Sequence, residues 1–434
     1  MKKSGLQVKS LIYVPLFVIP IIVYFSVTGH QFLTSWDDAW MVLNNYTIGG
    51  LSFSNIGKIF SESNQGQYSP LNQLIYNVIY IWFGSDPFFF HLTSVLWHAI
   101  NVCLVYAFVK SLFGLRENGG NVKLIQITAF LTALLFAVHP VNTEAVAWIS
   151  ASKIPLYTLF GLSGLLCYMR YLKSGKKRWL AVTFVLFVLS FLSKEQAIII
   201  PFVMPLIDWF AGRNLWDKKL WIEKIPFLAL ALTGGFYTLT LRNIDLVEYR
   251  AGYPLWQRMV FACYAITEYL TKLIVPLKLM YLYPFPMAPG ELLPHRFFLY
   301  PVIVAFIVGL LIYYRKYKVL VFSALFFLLN VSLTLHIISM SRSTIVADRY
   351  IYLSCIGFFA PTFWYGAQYV MRLSKYKKIF ACILFGAYLL CLTGYTIKHS
   401  EVWHNNDTLK KEVRELLDKR KEETAYLVHD DELI

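Results

Sequence analysis

Charge is scarce in this chain, and negative charge scarcest. Asp, Glu, Lys and Arg make up 15% of the 434 residues, where ordinary soluble domains carry about 25%. Acidic residues number 25 against 40 basic ones, and 57% of the chain is hydrophobic. That composition excludes a soluble globular surface. Paired cysteines are also missing. Cys103, Cys167, Cys263, Cys355, Cys382 and Cys391 all stand within apolar stretches with no CxxC spacing, so they read as packing residues rather than disulfides or metal ligands. There is no HExxH zinc helix. No small-residue cleavage site follows the first apolar run, which therefore reads as a retained signal-anchor.

What is present is a succession of apolar runs of about 17–25 residues, the length a bilayer demands. They fall near 11–28, 88–113, 124–140, 154–172, 179–193, 196–211, 225–241, 297–314, 319–338, 348–371 and 379–397. The net charge of +15 is carried in short loops between them, which reads as topology rather than nucleic-acid binding. By the positive-inside rule the loops with Lys2/Lys3/Lys9, Arg116/Lys123, Lys173–Arg178, Arg213–Lys224, Arg315–Lys318 and Arg372–Lys378 are cytoplasmic. Alternation holds only if 257–283 does not cross. That stretch carries Glu268, Lys272 and Lys278, expensive on a lipid face, and is expected to be a re-entrant or interfacial outer helix. The expectation is an all-α polytopic bundle of about eleven transmembrane helices, N-terminus cytoplasmic and C-terminus outside. Residues 1–399 form the membrane domain, 29–87 its first outer loop, and 400–434 a short charged helical tail. The apolar stretch 70–83, too short to span and interrupted by Asn72, Gln73 and Asn77, is expected to lie in the outer interface.

The unusual polar residues fall in the outer segments. Asp37 and Asp38 follow the first apolar run. Adjacent carboxylates there suit a general base and a partner that orients it, binds acceptor or holds a cation; they also suit the cap of an interfacial helix. His139-Pro140-Val141-Asn142-Thr143-Glu144 ends a span with a polar turn. It suits either a cavity lining or a capped short helix, and it lacks the third ligand that zinc requires. Lys194 and Glu195 occupy a very short outer turn, as an ion pair or as contacts to lipid phosphate and sugar hydroxyl. Arg342 and Asp348-Arg349 offer guanidinium groups for bidentate phosphate binding, or a surface pair. His91, Ser94, His98 and Asn101 form a polar stripe on one helix face, which suits helix–helix hydrogen bonding or a polar pocket.

WDDAWMVLNN, Tyr68-Ser69-Pro70-Leu71, FHLTSVLWHAINV, LFAVHPVNTEAVAWIS, LSKEQAI, ADRYIYLSCIGF and HSEVWHNNDTLKKEV together resemble the membrane half of the transmembrane and tetratricopeptide-repeat O-mannosyltransferases. The resemblance covers roughly 30–360 and 399–413, in order. That family is similar to the GT-C glycosyltransferases, polytopic enzymes with an acidic motif in the first outer loop. The resemblance implies a polyprenyl-phosphate sugar donor, with mannose the candidate sugar, and inverting transfer to an acceptor hydroxyl of a glycan, lipid or protein. It implies Asp37 or Asp38 as catalytic carboxylate, Lys194, Arg349 and Arg342 on the donor phosphate, and His139, Glu144, Glu195, His91 and His98 around the sugar and acceptor. No cofactor and no metal site is required, with a divalent cation at Asp37/Asp38 left open. Three departures bear on the acceptor and donor contacts: Ser69 replaces an Arg, Asn142 replaces a His, and no repeat array follows residue 413. A bacterial inner membrane is the expected location. A ligase or polymerase using lipid-diphosphate oligosaccharides needs the same residues. A transporter would show inverted repeats and charges at the bilayer midplane, which this sequence does not.

Overall fold

The structure is a computed structural model that describes residues 11–116, 121–245, 252–337 and 344–431. It is built from helices. The one sheet among the described residues is a two-stranded antiparallel pair, Tyr283–Pro284 against Thr344–Val346.

Each apolar run carries a helix, but their lengths differ. Among the described residues, four are long and apolar enough to cross a membrane unaided: Pro87–Phe113, Ile149–Ser174, His295–Tyr313 and Lys375–Trp403. Val122–Val138 and Pro140–Ala147, bent by 57° at the break between them, reach crossing length only when taken together as one broken span. Tyr13–Val23, Ile225–Thr238 and Lys318–Thr334 are apolar but shorter. The protein is thus an all-α, polytopic membrane protein with four or five helices of full crossing length, fewer than the eleven apolar runs. Burial separates centre from rim. In Ile149–Ser174 78% of the apolar window is buried, in His295–Tyr313 only 6%; the first is central, the second leaves its apolar surface for lipid.

The bend has a local cause. Pro140 has no N–H, so the Phe136 carbonyl loses its helical partner. The Asn142 side-chain amide donates to that carbonyl at 2.8 Å, and Thr396 Oγ1 donates to the Val138 carbonyl at 2.7 Å. Asn142, the position where the sequence departs from the HPxHTEAVAW pattern, thereby completes the helix break. Close helix approach requires glycine at Gly357: a methyl group there would lie 2.6 Å from the Ser323 carbonyl oxygen.

The Pro70–Phe83 helix is inverted in polarity. Asn72, Gln73, Tyr76 and Asn77 are buried, while Val78, Ile81, Trp82 and Phe83 are exposed. Tyr76 OH donates to the Ile149 carbonyl at 2.8 Å, and Asn77 Nδ2 to the Gly50 carbonyl at 3.0 Å. Polar side chains inward and apolar ones outward are what an interfacial helix requires when protein covers one side and lipid the other. In Leu255–Ile274 the buried Lys272 meets Asp348 at 3.2 Å and Glu268 at 3.8 Å, its ammonium 3.5 Å from the Tyr283 ring centroid. Its charge faces protein and is compensated. The described chain ends in the Asn406–Asp431 helix.

Candidate active site

Asp37 and Asp38 open a short helix, Asp37–Met41. Adjacent residues on a helix point about 100° apart, and the two carboxylates part company. Asp38 is fully buried; it accepts the Leu33 N–H at 2.8 Å, the Ser150 N–H at 3.0 Å, and the Ser150 hydroxyl. Burial raises its pKa to about 6, against the lowering effect of these hydrogen bonds. It ties the first outer segment to the turn Ile149–Ala151. Asp37 is half-buried and lines a cavity of about 290 Å³.

The same cavity is lined by Gln67, Trp148, Ser150, Lys153, Lys194, Tyr281, Thr344 and Arg349, among others. Among the described residues its wall therefore has one carboxylate, Asp37, and three cations, Lys153, Lys194 and Arg349. Each cation is positioned from a different element. Lys153 begins the helix Lys153–Ser174, donates to Gln67 Oε1, and lies 3.4 Å from Met41 Sδ. Lys194 sits in extended backbone between Lys177–Ser193 and Glu195–Ile199, with Glu195 3.6 Å from its ammonium. Arg349 is held by Glu144, which pairs with its guanidinium and accepts its backbone N–H at 2.8 Å. Trp148 and Tyr350 lie 5.4 and 4.9 Å from the guanidinium carbon. Asp37 is within electrostatic reach of Arg349. Trp148 and Tyr281 of the lining pack with Trp403 as an aromatic group, with centroids 5.4–5.6 Å apart.

Of the residues singled out from sequence, the structure brings Asp37, Lys194 and Arg349 to one cavity, with Glu144 and Glu195 behind two of the cations. His139 is buried away from the lining; its Nδ1 accepts the Val141 N–H, and its ring lies 5.2 Å from Phe359. His98 makes a 2.7 Å hydrogen bond with Tyr352 OH, which also accepts from Asn101 at 3.3 Å. This is the helix–helix reading of the polar stripe. His91 packs beside His30. Arg342 lies outside the described residues. Sequence reasoning passes over Lys153, Gln67, Trp148 and Tyr281. Lys153 does leave a signal: a lysine opening a long apolar helix stands at the end where the macrodipole disfavours positive charge. The six cysteines are free thiols.

No sequence-family profile matches the chain. Curated relatives do. Protein O-mannosyl-transferase F38B6.6 of Caenorhabditis elegans is 27% identical over 248 residues, 55% of this chain and 33% of that protein. Protein O-mannosyl-transferase TMTC1 of Homo sapiens is 31% identical over 203 residues, 42% of this chain and 22% of its own length. TMTC4 of Homo sapiens is 30% identical over 230 residues, covering 49% and 31%. The chain is thus similar over about half its length to proteins named O-mannosyl-transferases, and it spans a third or less of the length of each of these relatives.

Proposed function

We propose that this chain is a GT-C-type membrane glycosyltransferase that moves a sugar, mannose first among candidates, from a polyprenyl-phosphate carrier to an acceptor hydroxyl. The reading rests on kinship to proteins named O-mannosyl-transferases. The observation that carries it is a cavity whose wall sets one carboxylate among three cations. A phosphate-linked donor needs cations where its phosphate sits and a carboxylate where the acceptor loses its proton.

In this mechanism Asp37 accepts the acceptor hydroxyl proton as the oxygen attacks the anomeric carbon. The bond from that carbon to the phosphate oxygen breaks, and its electron pair stays on the lipid phosphate. Lys153, Lys194 and Arg349 stabilise the charge that develops there. The helix N-terminus under Lys153 adds its partial positive charge. Attack opposite the leaving phosphate inverts the anomeric centre. Asp38 anchors the short helix that carries Asp37, through Leu33 and Ser150, and Glu144 positions Arg349. The acceptor proposed first is a protein hydroxyl, as the relatives' names indicate; glycan and lipid hydroxyls are the alternatives to assay beside it. In a membrane of eleven passes, many by short or bent helices, the cavity opens on the extracytoplasmic face. The N-terminus is then cytoplasmic and the C-terminus outside, in a bacterial inner membrane.

The test is sugar transfer in membranes from radiolabelled polyprenyl-phosphate mannose, comparing wild type with Asp37→Asn at equal protein level. Transfer by wild type and its loss in the variant supports the assignment. Transfer undiminished in Asp37→Asn overturns it.

A further inference from the structure

Away from the cavity wall, the structure gathers His30, His91, Glu401 and His404 from three parts of the chain. His30 follows the Phe25–Gly29 turn, His91 lies in the first turns of Pro87–Phe113, and Glu401 and His404 sit where Lys375–Ser400 gives way to the terminal helix. Glu401 Oε1 is 3.8 Å from His30 Nε2, and Glu401 Oε2 is 4.0 Å from His404 Nδ1. One ligand atom from each of His30, Glu401 and His404 lies within 4.8 Å of the others. The His30 ring is 5.0 Å from that of His404 and 5.7 Å from that of His91, centroid to centroid.

Burial makes this more than proximity. His30 and His91 are each 1% exposed, and neither ring nitrogen of either residue makes a hydrogen bond of sound geometry. The backbone at Trp403 and at Gln31 acts on His30 and His91 as a hydrogen-bonding partner, which engages one nitrogen of each ring at most and leaves the lone pair of the other for an ion. Buried polar atoms are normally satisfied, and leaving imidazole nitrogens so poorly partnered is costly. A cation bound to the lone pairs removes that cost for the nitrogens it binds. The opposite side is open: the side chains of Glu401 and His404 are 53% and 39% exposed, which leaves an ion a route in.

We propose that His30, Glu401 and His404 form a divalent metal site suited to zinc, with His91 beside His30 as the candidate for a fourth ligand. Imidazole nitrogens with one carboxylate are a zinc donor set, bound at about 2.0–2.2 Å in a tetrahedron. For His30, Glu401 and His404, whose ligand atoms lie within 4.8 Å of one another, closing onto such a centre takes side-chain movement of about an ångström each. A hard cation such as magnesium prefers an all-oxygen octahedron and fits poorly. The ion would fasten two segments of the chain that already touch. Gln31 N–H donates to the His404 carbonyl at 2.8 Å, Ser35 N–H to Asn406 Oδ1 at 3.0 Å, and Asn406 Nδ2 to Thr34 Oγ1 at 2.9 Å. The role is structural: it fixes the segment leading to Asp37 against the end of the last long helix. It does not depend on the chemistry assigned to the cavity.

The experiment uses the full chain purified in detergent with a tag free of histidine, stripped with a chelator, then titrated with zinc or cobalt. About one zinc per chain is expected, with a raised unfolding midpoint, and cobalt should give the visible absorption of a tetrahedral centre. His404→Asn and Glu401→Gln alter partly exposed residues and should fold; each is expected to weaken zinc binding by at least about tenfold. His30→Asn should abolish it. Asp37→Asn should bind zinc as wild type does, so the site stands or falls apart from the proposed catalysis. Fewer than about 0.1 equivalents on wild type, or equal binding by His404→Asn and Glu401→Gln, overturns the proposal.

Discussion

The two ends of the Lys153–Ser174 helix carry charge in opposite ways. Lys153 opens it at the cavity; Tyr168 lies fifteen residues on, about 22 Å along the axis, near the far end of the helix. There Asp208, fully buried, accepts the one hydrogen of Tyr168 OH, which lies 2.6 and 2.7 Å from its two carboxylate oxygens. It also pairs with Lys224 at 2.7 Å and Arg213 at 3.0 Å, and Arg213 reaches Glu223 at 3.2 Å. Two acids meet two bases directly, and the charges close on one another. At the Lys153 end the charged groups stand around a volume of about 290 Å³, with the countercharges Glu144 and Glu195 placed behind the wall. Charges that close on one another leave no room for a ligand; the charges around the cavity leave that room, which the proposed function uses. Ion pairs alone do not separate the two cases. The space between them does.

The largest effect that sharpens this comparison is on the open side. Asp37→Asn should lower transfer by about 10²–10⁴-fold, the contribution of a general base, while expression and elution profile stay unchanged. The closed side should behave in reverse. Asp208→Ala leaves Lys224 buried and unpaired, which costs about 3–5 kcal/mol; fluorescence-detected size exclusion should show lost folded protein, with residual activity proportional to what remains. If Asp208→Ala folded normally and lost transfer, the division between the ends would fail.

Asp38 supplies a third case, buried like Asp208 but without a cation in contact. Its pKa of about 6 lies above the ordinary 3.8. A raised carboxyl favours the folded state fully below about pH 3.8 and loses that contribution as pH rises through about 6, on the order of 3 kcal/mol. Thermal midpoints of the wild type should therefore fall more steeply across that window than those of Asp38→Asn; parallel profiles would count against it. The smallest expected effect is Lys153→Met. Loss of one charge-assisted contact to phosphate, about 1.5–3 kcal/mol, should reduce kcat/KM by roughly ten- to a hundredfold.

Much of the fold is legible in the order of the amino acids. The apolar runs carry the helices, because a bilayer leaves few other solutions for such composition. The two faces of 70–83 are readable from Asn72, Gln73 and Asn77 in an otherwise apolar stretch, and these residues are the ones turned inward. Less legible is how far the helices reach. Several apolar runs close as short helices flanked by turns, and hydropathy does not register where the backbone bends. The Asp pair stands out, but not its division of labour, which depends on Ser150 lying under Asp38. Arg213 and Lys224 read as loop charges setting topology, because their partner Asp208 sits in an apolar run and local spacing gives no reason to pair them. His30 and His404 are separated by most of the chain, so no motif spans them.

The most direct measurement is binding of a polyprenyl monophosphate, the donor's departing half, to the purified protein, followed by native mass spectrometry. The cavity assignment expects one bound lipid on wild type and on Asp37→Asn, and weaker binding in Lys153→Met and Lys194→Met. Arg213→Lys, at the closed end, should bind as wild type does. Undiminished binding in both cavity lysine variants would contradict it.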